Sequence, residues 1–291
     1  MENNQTTVVI TGMHRSGTSL TTSLLQSAGV FIGDRLLGTN LSNPKGHFED
    51  LDFVEFHQSL LQSQGLRSEG WIDNAGKHIP AAYTSTAQNL IARRSHHLNW
   101  GWKDPRTTLF LDFWSELIPD AKYIFVYRSP WEVVDSLFRR GDSIFQSDPD
   151  TAIKTWVNYN QKILNFCNST SRPWILLRIE DVIDRPQFAI DSINQKLDLS
   201  LISPHALYDA DFFQASKVNL YKARLVQKYS PDAIKLYARL HRAATLPNDI
   251  GKAIAVEEAT KLAWFWQNWL DRPVTRLKTI RYWYKLKRSV V

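Results

Sequence analysis

An α/β fold, a three-layer sandwich around a central, mostly parallel sheet with extra helices toward the C-terminus, is predicted by three features of the sequence. Short apolar runs alternate with amphipathic segments. The first apolar run passes through a glycine-bearing turn straight into a helical pattern. Pro130 and Pro186 stand where helices tolerate proline best, in the first turn. In chain order, Thr7–Thr11 (TVVIT) is β-branched and apolar and forms the first strand, and Leu20, Leu24 and Leu25 recur at helical spacing across Thr18–Ser27. Leu51–Gln64 and Ala81–Ser95 are helices, followed by a second strand over His97–Trp102. Thr107–Leu117 is a helix, Lys122–Tyr127 a buried strand, and Pro130–Arg140 and Thr151–Asn168 are helices again. Trp174–Ile179 completes the sheet and Pro186–Leu197 is the helix after it. Beyond residue 205 no strand pattern recurs, and Pro231–Leu240 and Gly251–Leu270 have helical periodicity.

The turn after the first strand reads GMHRSGTS, residues 12–19. Gly12 and Gly17 keep the spacing of the phosphate loop GxxxxGK[ST], but Thr18 stands where the lysine belongs, which makes the fold P-loop NTPase-like and the loop unsuited to ATP hydrolysis. Backbone N–H groups and a helix N-terminus still converge on one anion. The cation has moved inside the loop as Arg15, followed by the hydroxyls of Ser16, Thr18 and Ser19 around Gly17. Glycine and serine also favour ordinary βα corners, but a strand, two spaced glycines, a basic residue and three hydroxyls together favour an anion site. The expected ligand is a 5′-phosphate with whatever is esterified to it.

Composition narrows the function. At 291 residues and 43% hydrophobic, with no linker-like stretch, the chain is expected to form one main domain, residues 1–271, and a basic aromatic tail, residues 272–291. The net charge of +6 is carried by that tail, which holds seven cations and no acid, so the body is at −1. Nucleic acid is therefore not the expected partner of the body. The aromatic and cationic mixture of the tail suits a peripheral membrane surface or an anionic partner. The tryptophans at 264–269 are expected to face a core. One cysteine, Cys167, a polar N-terminus without a signal-peptide pattern and the absence of a long apolar run point to the cytoplasm. No HExxH, paired CxxC or EF-hand pattern occurs, so no metal is expected.

A second constellation lies in AKYIFVYRSPWEVVDSLFRR, residues 121–140. A buried strand delivers Arg128 at its C-terminal end, and the helix that follows places Ser136 about two turns away. Ligands of open parallel sheets bind outside the carboxyl ends of the strands, so Arg128 and Arg15 should face one crevice. Two anion sites there imply a ligand with phosphates at both ends. A strand-end arginine can instead pair with a helix carboxylate, here Glu132.

On these residues, positions of about 5 to 200 resemble the sulfotransferases that use 3′-phosphoadenosine 5′-phosphosulfate (PAPS). GMHRSGTSL resembles the 5′-phosphosulfate loop of that family, and YRSPWEVVDSLFRR its 3′-phosphate motif, with Arg128 and Ser136 in the two binding positions. RPWILLRIEDVIDRP resembles the strand and Glu-Asp segment that close the sheet. WKDPR, residues 102–106, resembles the Lys-Asp-Pro element of the bacterial and tyrosylprotein branch, in which the lysine, here Lys103, reaches the sulfuryl group. NPKGHFED, residues 43–50, resembles the loop that carries the glutamate base.

The resemblance implies metal-independent, in-line transfer of a sulfuryl group from PAPS, leaving adenosine 3′,5′-bisphosphate. Arg15 and Lys103 would stabilise charge on the transferring group. For the base the loop offers Glu49 and His47, and the branch indicated by Lys103 favours Glu49. Helix N-termini also attract acids, so Glu49 and Asp50 have a structural reading as well. Asp104 and Arg106 are expected to be a structural pair at their turn. The acceptor is expected to be a hydroxyl of a carbohydrate or another polar metabolite. Two other functions compete, a P-loop small-molecule kinase and a non-catalytic module binding a nucleotide or a sulfated glycan. The missing loop lysine argues against the first, and the presence of Lys103 with both base candidates argues against the second.

Overall fold

The computed structural model describes residues 5–38, 46–71, 79–140, 142–147, 150–204 and 230–245. Four parallel strands form the sheet: β1 (Thr6–Gly12), β2 (Asn99–Lys103), β3 (Lys122–Tyr127) and β4 (Trp174–Arg178), in the order β2-β1-β3-β4. After β1 the chain crosses to β2 on one side, and after β3 it crosses to β4 on the other. The carboxyl ends of β1 and β3 therefore flank the switch point, where open α/β sheets bind ligands. Register places Ile10 beside Lys103 and Gly12 beside Val126, so the phosphate-type loop, Lys103 and Arg128 leave the sheet at the same edge.

Each strand is apolar on both faces because both faces are covered. Val8, Ile10, Ile124, Val126, Ile175 and Leu177 alternate onto an aliphatic face against α1 (Thr18–Ser27), with Leu24 and Leu25 buried there. Val9, Trp100, Trp102, Tyr123, Phe125 and Tyr127 point the other way into an aromatic core. In it, Phe53 of α2 (Leu51–Ser63) stacks on Trp102 with centroids 4.3 Å apart and planes 5° from parallel. The remaining helices among the described residues are α3 (Ala81–Arg94), α4 (Leu111–Leu117), α5 (Pro130–Arg140), α6 (Ser143–Ser147), α7 (Asp150–Ser169), α8 (Ile179–Asp184), α9 (Pro186–Leu197) and α10 (Pro231–Ala243).

The second strand starts at Asn99 rather than His97, α6 is not among the expected helices, and two further segments change type. The helix expected from Thr107 begins as a 3-10 turn, Pro105–Phe110, before α4. Asp104 caps that turn by accepting from the Arg106 N–H at 2.9 Å, and the Thr11 hydroxyl donates to the Asp104 carbonyl at 2.9 Å. The last strand ends at Arg178, and Ile179 starts α8 instead, fully buried beneath the phosphate-type loop. The helix expected over 251–270 and the tail 272–291 lie outside the described residues.

Candidate active site

Two glycines shape the loop between β1 and α1 for different reasons. A Cβ on Gly12 would lie 2.2 Å from the carbonyl oxygen of Val126, so glycine there lets β1 and β3 approach. Gly17 has φ +90°, and a Cβ on it would meet Ile179 Cγ1 at 2.3 Å. Arg15 also occupies the left-handed region, with φ 66°. Gly17 is the N-cap of α1 and offers no side-chain cap. The first backbone bond of the helix runs from the Thr21 N–H to the Gly17 carbonyl, so the N–H groups of the first turn point out of the helix end toward the loop. The Ser16 hydroxyl is fully buried and has no hydrogen-bond partner among the described residues. These groups lie together on the loop at the carboxyl end of β1, at the switch point.

Lys103, the last residue of β2, joins this loop to the segment before α2. Its Nζ donates to Ser19 Oγ at 3.1 Å and to Glu49 Oε1 at 2.8 Å, and its side chain is 1% exposed. Ser19 Oγ in turn donates to the His47 carbonyl at 3.0 Å. The two neighbouring acids before α2 divide their roles. Asp50 caps the helix, accepting from the Asp52 N–H at 3.0 Å, and pairs with Arg94 at 2.6 Å. Glu49 turns inward to Lys103. The His47 side chain is half-buried; burial lowers its imidazole pKa, Glu49 opposes the shift, and Lys103 and Arg15 add to it.

On the β3 side, Arg15 Nε donates to Ser136 Oγ of α5 at 2.9 Å, so the two sequence motifs meet through this bond. Arg128 is buried at the end of β3. Its Nε and Nη2 reach the two carboxylate oxygens of Glu132 at 3.4 Å each, the helix pairing that the sequence admitted. Ser129 Oγ donates to the same carboxylate at 2.6 Å, and Trp156 Nε1 donates to the Arg128 carbonyl at 3.1 Å. Close by, burial and then the charge on Glu132 push the Glu180 carboxyl up to about 7.

Sequence reasoning assigned Asp104 and Arg106 to a structural pair, and the pair is present: Arg106 Nη1 contacts both Asp104 oxygens at 2.7 and 2.8 Å. What spacing could not show is how far the network extends. His57 Nδ1 lies 3.0 Å from Asp104 Oδ2, and His57 Nε2 is 3.0 Å from Trp114 Nε1. An indole nitrogen only donates, so His57 accepts at Nε2 and donates a hydrogen bond from Nδ1–H to the Asp104 carboxylate. Burial opposes charge on Asp104, but Arg106 and His57 outweigh it and hold the carboxyl well below the usual carboxylate range. His14, beside Arg15, packs against Trp71 with ring centroids 4.5 Å apart. Burial, with Arg106 and Arg140 adding, holds it well below the ordinary histidine value.

The sheet order and the loop at its switch point define an α/β protein of the P-loop-like class. Residues 7–203 match the sulfotransferase family, and the chain belongs to that family. A candidate protein-tyrosine sulfotransferase of Caenorhabditis elegans is 31% identical over 147 residues, covering 48% of this chain and 56% of the relative. A protein of the same description from Caenorhabditis briggsae is 26% identical over 176 residues, covering 55% and 62%. The chain thus spans less than two thirds of either relative. Among solved structures, the sulfotransferase of Alicyclobacillus acidocaldarius aligns with a TM-score of 0.51 at 12% identity, covering 81% of this chain and 96% of that one, a likeness of fold.

Proposed function

We propose that the protein transfers the sulfuryl group of PAPS to an acceptor hydroxyl. The observation that carries this reading is the position of Lys103 Nζ, which bridges Ser19 on the phosphate-type loop and Glu49 on the opposite wall. One cation thereby touches the donor side and the acceptor side. The donor fits the residues present. The 5′-phosphosulfate would take the helix N-terminus at Gly17, which has no side chain of its own to cap it, the buried Ser16 hydroxyl, and Arg15, Thr18 and Ser19. Ser136 and Arg128 would hold the 3′-phosphate. The Arg128–Glu132 contacts are long, and Glu132 keeps the Ser129 hydroxyl when Arg128 turns to the phosphate.

In the transfer, the acceptor oxygen forms a bond to sulfur as the bond from sulfur to the 5′-phosphate oxygen breaks, and the acceptor proton passes to the Glu49 carboxylate. Lys103 and Arg15 stabilise charge on the sulfuryl oxygens and the departing phosphate, a positioning and electrostatic contribution rather than covalent work. Glu49 is favoured over His47 as base because its carboxylate already lies on Lys103.

For the acceptor, the sequence favours a carbohydrate or another polar metabolite, and the description of the relatives favours a tyrosine hydroxyl. Incubation with [35S]PAPS and parallel sets of tyrosine peptides and oligosaccharides decides between them. Label in neither set nor in free sulfate, with PAPS intact, would overturn the proposed activity.

A further inference from the structure

We propose that Arg106 is a positioning residue for Glu49, holding the base in place when Lys103 turns to the sulfuryl group. The inference rests on the reading of Glu49 as base. Lys103 contacts one carboxylate oxygen, Oε1, at 2.8 Å, while Arg106 Nη1 stands 4.0 Å from the other, Oε2. The two cations therefore face different oxygens of one carboxylate. Under the proposed chemistry Lys103 must serve the sulfuryl oxygens, which weakens its hold on Oε1 at the step when the carboxylate has to point at the acceptor proton. Arg106 has no such second task.

Arg106 is also fixed far more firmly than a surface arginine. Its Nε donates to the Ser68 carbonyl at 3.0 Å, and its Nη1 is clasped by both oxygens of Asp104. Asp104 is fully buried and is itself locked by His57, which Trp114 orients from the aromatic core. The chain Trp114–His57–Asp104–Arg106 thus runs from the core to the Glu49 carboxylate, with exposure of 9% or less at every side chain in it. Such a preorganised chain serves alignment, because no reorganisation is left for the moment of reaction. A purely structural Asp–Arg pair would need neither a second carboxylate at its outer face nor a buried histidine behind it. Among the described residues, Lys103 from β2, Arg106 from the 3-10 turn and His47 from its own loop face Glu49; Arg106 also faces Asp104, Glu69, His14 and Tyr159 of α7.

A double-mutant cycle tests this. Turnover is measured with [35S]PAPS and 4-nitrophenol, or with water as acceptor where the phenol is not taken, for wild type, Arg106→Gln, Glu49→Gln and the pair. Arg106→Gln should lower kcat by about tenfold or more, leave the affinity for adenosine 3′,5′-bisphosphate within about twofold, and have less than about a twofold further effect in the Glu49→Gln background. Guanidinium ion added to Arg106→Ala should restore part of the kcat. Multiplying effects in the cycle, or an Arg106→Gln enzyme with normal kcat per folded molecule, would overturn the role of Arg106. Near-normal turnover of Glu49→Gln alone would overturn the base assignment beneath it, so the two failures are separable. Should Arg106→Gln fold poorly, Arg106→Lys keeps the charge without the fork, and its kcat should lie between wild type and the Glu49→Gln level; a value equal to wild type with Glu49→Gln impaired would count against the proposal.

Discussion

Replacing Lys103 with alanine separates chemistry from architecture at the centre of the site. The ammonium group is almost wholly buried and makes two hydrogen bonds, one to Ser19 at 3.1 Å and one to Glu49 at 2.8 Å. Its removal leaves the Glu49 carboxylate, 8% exposed, with Arg106 at 4.0 Å as its remaining cationic partner. Stripping one member from a buried pair costs about 3 to 5 kcal/mol when nothing replaces it. With Arg106 at hand and water able to enter the space left, a loss of about 1 to 3 kcal/mol is expected, the range for a buried group left short of a partner. The catalytic loss should be separate and large, about 100- to 1,000-fold in kcat, as for a deleted oxyanion-type donor, or roughly 3 to 4 kcal/mol. The assay is single-turnover transfer from [35S]PAPS, normalised to the folded fraction from a denaturation curve. A variant that is destabilised yet retains turnover per folded molecule within about threefold would refute the catalytic placement of Lys103.

Glu49→Gln should lower turnover about 100- to 10,000-fold with nucleotide affinity little changed, while His47→Ala should be far milder; the reverse ranking in steady-state rates would transfer the base role to His47. Acidification should weaken α10. Tyr127 Oη and His241 Nδ1 share a 2.6 Å hydrogen bond, and burial, reinforced by Arg178, holds that imidazole down to about 4. The unfolded chain takes up this proton below about 6.5, so His241 removes stability as pH falls from there toward 4. Glu180, pushed up to about 7, has the opposite sign, because the native state keeps a proton that the unfolded chain has released. The informative quantity is therefore a difference: relative to His241→Gln, the melting temperature of the wild type should fall between pH 6.5 and 4. Parallel melting curves across that range would contradict the assignment.

The sheet and its loop were legible because their signals are local. The short apolar run KYIFVY, glycine spacing in GMHRSG and first-turn prolines each act over a few residues, and the strands and most helices lie where those signals place them. The site was legible as an inventory but not as a set of partners. Asp50 and Glu49 look equivalent before a helix, yet backbone direction makes Asp50 the cap and turns Glu49 to Lys103, 54 positions away. The bond from Arg15 to Ser136 spans 121 positions, and nothing in either motif encodes it. His57 carried no motif at all; only packing against Trp114 and Asp104 gives it a place. The 3-10 turn escaped notice because the hydroxyls of Thr11 and Thr108, 97 positions apart and 2.8 Å from each other, secure it.

Thermal shift with adenosine 3′,5′-bisphosphate against AMP probes the proposed crevice for a nucleotide with phosphates at both ends. The bisphosphate should stabilise the protein far more, since under the proposed function Arg128 and Ser136 would bind a 3′-phosphate that AMP lacks. Arg128→Ala should abolish that preference, a loss of about 1.5 to 3 kcal/mol in binding. Equal shifts for the two nucleotides on the wild-type protein would contradict the account.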